Sequence, residues 1–479
     1  MSFIKAAKDG VVWTFLQQFS VQIINFGVQI VLARLLMPSD FGLIAMITVF
    51  ISIGQSLSDS GMTSSLIRNE KNTDEDYNTV FVTNLCVSLI IYCIVYVLAP
   101  FVADFYNQEV LVSLLRVFSL TFVISSFNVV QVTRFMKDLN FKKQFTYQLP
   151  SVLVGALAGI YSAYIGMGVW SIVILNIVQS AAFGIFLYLF YEWRPIFQFN
   201  REKFKYHFDY GYKLTLSGLL HTIYLNLYKI IIGKKFSVSS VGYFTQADNL
   251  RLFPVNQLSL VLNKVTFPLF ASIQNDNEKL KKAYQSALRL VLSVTAALMF
   301  ILIILAEPLF SLVFGNKWLP SVPYFQILCI ASIFLPIGTY NLNILKIKGR
   351  SDLFLKIEVI KKIIGIVSLI ISIPFGINAI VWTLCITNIF FAYFNAYFSG
   401  KFINYTLFDQ IKNSIAIIVL AVLPFLCTYY FVNKSGVLND VSNVFIILTG
   451  GAVYLILFLP LLYFFNKPLL ADIRLVLKR

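Results

Sequence analysis

Histidine occurs only twice in 479 residues, at His207 and His221, too few and too far apart for a histidine metal site. Cysteine occurs five times, at Cys86, Cys93, Cys329, Cys385 and Cys427, always inside apolar runs. That scatter offers no disulfide framework, and the five are read as small hydrophobes. Charge is scarce as well: 13% of residues are Asp, Glu, Lys or Arg, against about 25% in soluble domains. No glycine-rich loop ends in Gly-Lys-Ser/Thr, which excludes that route to ATP hydrolysis. The connections between apolar runs are short, the longest reading "YEWRPIFQFNREKFKYHFDYGYK". They leave no room for a soluble catalytic, receptor or nucleotide-hydrolysing domain, so no enzyme is expected.

What fills the sequence is hydrocarbon. Hydrophobic residues make up 58% of it, with 46 Phe and 25 Tyr. A soluble core cannot absorb that surplus, so it faces lipid. Apolar runs of roughly 20 residues mark fourteen expected spans, at 11–33, 41–60, 79–99, 111–133, 148–166, 169–190, 212–232, 241–262, 287–306, 323–345, 359–374, 377–398, 411–431 and 443–464. The runs are continuous rather than alternating, so helices are expected and strands are not. The fold class is therefore an all-α integral membrane protein.

The cations report orientation. With the N-terminus placed in the cytoplasm, the inner connections and their flanks hold 29 of the 38 Lys/Arg, and the outer connections hold five. A missed span would scramble that bias downstream, so the positive-inside rule supports an even span count with both termini cytoplasmic. The net charge of +16 then decorates the face nearest anionic headgroups. No nucleic-acid recognition module accompanies it, and no nucleic-acid partner is expected.

Two polar corners punctuate the spans. "RLLMPSDFGLI" runs from Arg34 to Ile44, and a fainter copy, "KKFSVSSVGYF", lies 200 residues later. Each contains S-x-x-G, with Ser39 and Ser239 as expected helix caps and Gly42 and Gly242 permitting close helix approach. Pro38 stiffens the first turn, while Arg34 and Lys234 suit helix ends at headgroup level. The inner stretches "SSLIRNEKNTDEDY" and "FASIQNDNEKLKKAY" echo each other at the next topological point. Spans 1–6 and 7–12 are accordingly expected to be parallel repeats flanking a central cleft. The expected division is a lobe at 1–195, a second at 196–400, and a helix pair with a cytoplasmic tail at 401–479.

Polar residues inside spans are candidates for lining that cleft. Gln18, Gln22, Asn25 and Gln29 fall on one helix face, which either lines water or packs against partners. Asn226 follows a related pattern in span seven. Gln55 and Asp59 stand four apart as coupling or gating candidates, with a capping role for Asp59 equally open. Arg251 lies about 16 Å into its helix, a depth that costs about 2.5–3.5 kcal/mol unless water or a partner receives it. It is expected to face an aqueous cavity and meet phosphate, with an internal ion pair as the alternative. Arg116 and Lys229 extend a positive lining or snorkel outward. Pro254 is expected to kink the same helix as Arg251.

"GVVWTFLQQF", "VLARLLMPSDFGLIAM" and "DSGMTSSLIR" together resemble the bacterial polysaccharide exporters of the multidrug/oligosaccharidyl-lipid/polysaccharide superfamily. The likeness rests on Gly10, Trp13, Arg34, Pro38, Phe41, Gly42 and Gly61, and within the group it is nearest to lipopolysaccharide and colanic-acid-type repeat-unit flippases. It implies two six-helix lobes with an extra helix pair, a cationic central cavity and alternating access. It also implies passage of undecaprenyl-pyrophosphate-linked oligosaccharide across the bacterial inner membrane, for surface polysaccharide synthesis. No bound cofactor is implied; an H+ or Na+ gradient would drive the cycle. The expected partners are the lipid-linked substrate, membrane lipids, and neighbouring polysaccharide polymerases and glycosyltransferases, with the monomer as the working unit. An ion-coupled exporter of drugs or other small molecules, from the same superfamily, is the alternative.

Overall fold

A computed structural model describes residues 3–435, 437 and 441–465; the tail expected at the C-terminus, beyond 465, lies outside the described residues. Eighteen α-helices and two short 3-10 turns are described, and no strand occurs among the described residues. The chain forms two compact units, Met1–Gly242 and Tyr243–Arg479.

The first unit contains α1 (Phe3–Leu35), α2 (Pro38–Ser58), α3 (Met62–Arg68), α4 (Asp74–Tyr106), α5 (Val110–Phe118), α6 (Leu120–Lys137), α7 (Phe141–Tyr164), α8 (Trp170–Phe190) and α9 (Arg201–Lys235). Helix α10 (Val238–Ser272) begins there and continues into the second unit, which adds α11 (Asn277–Ile304), α12 (Ala306–Val313), α13 (Val322–Ile333), α14 (Leu335–Ile347), α15 (Ser351–Ser372), α16 (Ile377–Gly400), α17 (Leu407–Asn433) and α18 (Asn443–Phe465). Ten helical stretches among the described residues are long and apolar enough to cross a membrane. The other four expected spans coincide with α7, α9, α10 and α15, which are helical but more polar. Three expected spans are each broken once: 111–133 at Ser119, between α5 and α6, 287–306 at Leu305, between α11 and α12, and 323–345 at Phe334, between α13 and α14. Pro254 and Pro268 both lie inside α10, which continues through them.

Local chemistry sets the helix starts. Pro38 occupies the first position of α2, where a missing N–H costs nothing. Asp40, rather than Ser39, completes that start: its carboxylate accepts the Met37 N–H at 2.9 Å. At the second corner Ser237, not Ser239, receives the Ser240 N–H, at 3.2 Å. Both corrections have one cause. Each helix begins a residue or more before the serine of S-x-x-G, so that serine is already inside the first turn. Thr73 and Asp76 form a reciprocal capping box at the start of α4, and Asn200 caps α9 by accepting from Glu202 and Lys203 N–H.

The glycines of the two corners meet each other. A Cβ on Gly42 would lie 2.0 Å from the Val238 carbonyl oxygen, and one on Gly242 would lie 2.0 Å from that of Pro38. The contact is reciprocal, each corner's glycine seated on the first residue of the other corner's helix. A second crossing lies at the far end of α2, where Gly61 adopts φ +65° and a Cβ on it would lie 2.2 Å from the Gly211 carbonyl oxygen of α9. A Cβ on Gly211 would in turn meet Ser60 O at 2.6 Å. Backbone carbonyls cannot swing aside as side-chain tips do, so only glycine lets α2 approach this closely.

The second unit has an aromatic core around Trp318, Phe310, Phe314 and Phe325, all essentially without solvent access. A buried polar knot ties four of its helices. Tyr284 (α11) and Asn341 (α14) both donate to the Gln410 (α17) carbonyl, at 3.2 and 3.0 Å. Ser399 (α16) donates to Asn341, and the Gln410 amide returns donors to the Ala396 and Tyr405 carbonyls. Every member finds a partner, which makes such a knot rigidifying rather than costly.

Replacing Gly42 or Gly242 with Ala is expected to destabilise the detergent-solubilised protein by at least about 1–3 kcal/mol through overpacking against backbone. The double variant should lose less than the sum, because both substitutions disrupt the same contact. Unchanged thermal midpoints for the single variants would contradict the reciprocal crossing.

Candidate functional site

The first unit encloses a cavity of about 320 Å³ between α2, α5, α6, α7 and α8. Helix α2 contributes Thr48, Ile51, Ser52 and Gln55; α6 contributes Thr121 and Ser125; α7 contributes Gln148 and Ser151; α8 contributes Asn176, Gln179, Ser180 and Phe183; Phe118 closes one side. Ten of these side chains are hydroxyls or amides, and none is charged. Some are committed locally: Asn176 donates to the Ile172 carbonyl at 2.7 Å, and the Ser125 and Ser180 hydroxyls lie 3.2 Å apart. Ser52, Gln55 and Gln179 make no side-chain hydrogen bond to a described residue. Polar groups left unsatisfied within a membrane are expensive, so this cavity must be served by water or by a polar ligand.

None of the residues expected to line a cleft borders this cavity; Gln55, expected in coupling or gating, does. On α1, Gln18 and Asn25 are exposed while Gln22 and Gln29 are half-buried. The glutamine of that helix which reaches inward is Gln17, donating to Gln148 of the cavity wall. Helical spacing identified a polar face on α1 but not the edge that packs on α7. Asn226 donates to the Thr222 carbonyl one turn back, at 2.9 Å. Arg116 lies over the Tyr96 ring, 4.1 Å from its centroid, and donates to the Tyr96 carbonyl at 3.3 Å. Lys229 is half-buried and makes no hydrogen bond or ion pair with a described residue. Asp59 follows the last residue of α2 and accepts the Thr63 hydroxyl at 2.7 Å.

Arg251 takes the ion-pair alternative. Within the second unit it is 7% exposed, pairs with Asp248 at 2.7 Å and donates to the Ser332 hydroxyl at 2.9 Å. Asp248, one helical turn earlier, supplies the compensation that mid-helix depth demands.

A second polar cluster, not singled out from the sequence, lies on the first unit's expected cytoplasmic side. His207 of α9 is fully buried, with Nδ1 2.8 Å from the Ser65 hydroxyl and Nε2 3.2 Å from the Asp76 carboxylate. Asp76 also accepts from the Thr73 N–H and hydroxyl, both at 2.7 Å, and from the Lys203 ammonium at 3.1 Å. The ring therefore donates from Nε2 and accepts the serine hydroxyl at Nδ1. The cluster joins α3, α4 and α9 a few residues from the Gly61–Gly211 crossing. Among the described residues, no group of three His, Cys, Asp or Glu could hold a metal ion.

A family model described as "Polysaccharide biosynthesis protein" matches residues 31–323, more than half of the chain and all of the cavity-forming helices from α2 to α8. The chain belongs to this polysaccharide biosynthesis family. It is similar, at 26% identity over 378 residues, to the lipopolysaccharide biosynthesis protein WzxC of Escherichia coli (strain K12), covering 78% of this chain and 76% of that one. It is 24% identical over 356 residues to the teichuronic acid biosynthesis protein TuaB of Bacillus subtilis (strain 168), covering 74% and 73%. Among solved structures, the lipid II flippase MurJ in an inward closed conformation shares the fold at a TM-score of 0.75 and 15% identity, over 93% of this chain and 98% of that one. The family's fold is thus an all-α, multi-pass membrane architecture, as the hydropathy pattern indicated.

Burial depresses the His207 pKa below its ordinary value, with the Asp76 hydrogen bond opposing and Lys203 and Lys137 adding to the depression. A group whose folded pKa is lowered contributes stability above its ordinary value, about 6.5 for imidazole, and loses it as pH falls further. The thermal midpoint is therefore expected to drop between pH 7 and pH 5, and His207→Asn should flatten that drop. Asp76→Ala, which strands Lys203 and His207, should cost about 3–5 kcal/mol. An Asp76→Ala protein as stable as the parent would contradict the cluster's structural role.

Proposed function

We propose that this protein moves lipid-linked oligosaccharide repeat units from the cytoplasmic to the outer leaflet of the bacterial inner membrane, without making or breaking covalent bonds. The observation that carries the reading is the uncharged, amide- and hydroxyl-lined cavity inside a membrane-spanning unit. A drug-like cation would call for an acid or an aromatic cage there. A sugar offers hydroxyls that both donate and accept, which is what glutamine, asparagine and serine side chains complement. A lipid-linked saccharide can place its sugars among these groups while its tail stays in hydrocarbon. The names of WzxC, TuaB and MurJ, each tied to a cell-surface glycan or its lipid precursor, support the same substrate class.

Both termini face the cytoplasm, on the strength of the 29-to-5 cation bias. Lobes at 1–195 and 196–400 alternate access about a passage, and 401–479 is an appended pair. Arg251 exchanges Asp248 for the substrate's pyrophosphate, a swap of one oxyanion for another. Asp59 and Gln55 near the inner end of α2 respond to an H+ or Na+ gradient. Glycosyltransferases supply the substrate and a polymerase consumes it, while the monomer is the transporting unit.

The test is reconstitution of the purified protein in vesicles carrying a fluorescent lipid-linked oligosaccharide, with an impermeant sugar-cleaving enzyme reporting exposure. Wild-type vesicles should expose the inner pool. Gln55→Ala combined with Gln179→Ala should slow exposure about tenfold, the loss of roughly 1.4 kcal/mol of hydrogen bonding, with insertion unchanged. Vesicles that expose no oligosaccharide yet expel organic cations would overturn the proposal in favour of small-molecule export.

A further inference from the structure

A second cavity of the first unit has the opposite chemistry. It is about 370 Å³ in volume and lined only by apolar side chains, among them Phe50 of α2, Leu98 and Phe105 of α4, Leu115 of α5 and Ile230 of α9. It opens to the surrounding medium, since Phe101 on its wall is 67% exposed and Leu98 48%. Along α4 its lining runs from Val95 to Phe105, ten residues and therefore about 15 Å at about 1.5 Å per residue. That is half of a hydrocarbon core about 30 Å thick, so the groove is one leaflet deep.

Its two ends differ. At the Phe105 end, the Lys234 ammonium donates to the Phe105 carbonyl and lies 4.8 Å from the centre of its ring. Lys235 beside it is exposed and makes no ion pair with a described residue. Asp104, on the same turn of α4, is exposed and pairs with neither lysine. At the other end, next to Val95 and Leu115, the Arg116 guanidinium covers the Tyr96 ring. A long polyprenyl chain would have to run past that guanidinium into the opposite leaflet, whereas an acyl chain ends there.

We propose that this groove binds one acyl chain of an anionic phospholipid in the outer leaflet, with its phosphate held by Lys234 and Lys235. The tail replaces the lipid that would otherwise pack loosely against exposed phenylalanines, and an ammonium with three donors suits a phosphate at headgroup level. The site spans α2, α4, α5 and α9, so an occupied groove braces the helix that Gly42 seats against α10. It is separate from the sugar cavity and does not depend on the transport reading beyond the orientation of α4.

Native mass spectrometry of the full-length protein, titrated with phosphatidylglycerol or phosphatidylcholine of equal chain length, tests the assignment. Phosphatidylglycerol should bind about tenfold more tightly, the worth of one charge-assisted contact. Lys234→Gln with Lys235→Gln should bring that ratio close to one. Val102→Trp, which fills the groove and touches neither lysine, should weaken both lipids at least as much, while Asp104→Asn should leave the preference intact or raise it. Equal binding of the two lipids by the wild type, or a preference that survives the lysine substitutions, would overturn the proposal. So would a Val102→Trp protein that binds phosphatidylglycerol like the parent, or displacement of bound phospholipid by polyprenyl phosphate at lower concentration.

Discussion

The structure of the first unit depends on how closely α2 can lie against its neighbours. Three backbone carbonyls, of Val238, Pro38 and Gly211, occupy the space where the side chains of Gly42, Gly242 and Gly61 would begin. No hydrophobic force drives helices together inside a bilayer, since lipid tails are as apolar as leucine. Close van der Waals contact has to supply the adhesion instead, and small residues make it possible. The repeated polar corner is thus a packing device, met by its own copy.

The position of α2 has chemical consequences because the same helix carries Thr48, Ser52 and Gln55 into the polar cavity. The two ends of that helix are tied by glycine, to α10 at Gly42 and to α9 at Gly61 just past its last residue, while between them it supplies polar groups to a space bounded by α5 to α8. The buried cluster of His207, Asp76, Ser65 and Lys203 reinforces the inner crossing with directional bonds, where the glycines contribute only contact. Such a helix, clamped at both ends, holds cavity amides at fixed separations. Preorganised donors and acceptors recognise a hydroxylated ligand at lower entropic cost than mobile ones. The apolar groove uses α2 as well, through Phe50, so three features of contrasting chemistry share one wall.

Much of this was legible in the sequence, and the gaps have physical reasons. Apolar run length located all fourteen helical regions, since a bilayer imposes one minimum length on every span. Glycine at 42 and 242 signalled close approach, although not that the two serve a single contact, and Gly61 stood out only through the family likeness. The cap residues were misplaced because Pro38, Ser39 and Asp40 crowd the first corner and Ser237, Ser239 and Ser240 the second, and any of them can start a helix. Gln148 stayed inconspicuous at the polar start of α7, and Asn176 and Gln179, a turn apart on α8, lie far in sequence from α2, so only folding gathers them around one cavity. Gln17 was overlooked beside Gln18 for a related reason: spacing defines a face, whereas burial depends on which neighbour covers it. His207 and its partner Asp76 lie 131 residues apart, a separation that local patterns do not bridge. Arg251 with Asp248 is the converse case, a compensation readable at one-turn spacing.

Under the proposed function, the protein relocates a finished lipid-linked saccharide. The most direct measurement is the amount and leaflet position of lipid-linked repeat units in cells lacking the gene, read by extraction and by an impermeant sugar-specific label on inverted and right-side-out membrane vesicles. Intact repeat units should build up, facing the cytoplasm, while surface polysaccharide disappears. Cells in which the repeat unit is never assembled, or in which it reaches the outer leaflet at the normal rate, would contradict that function.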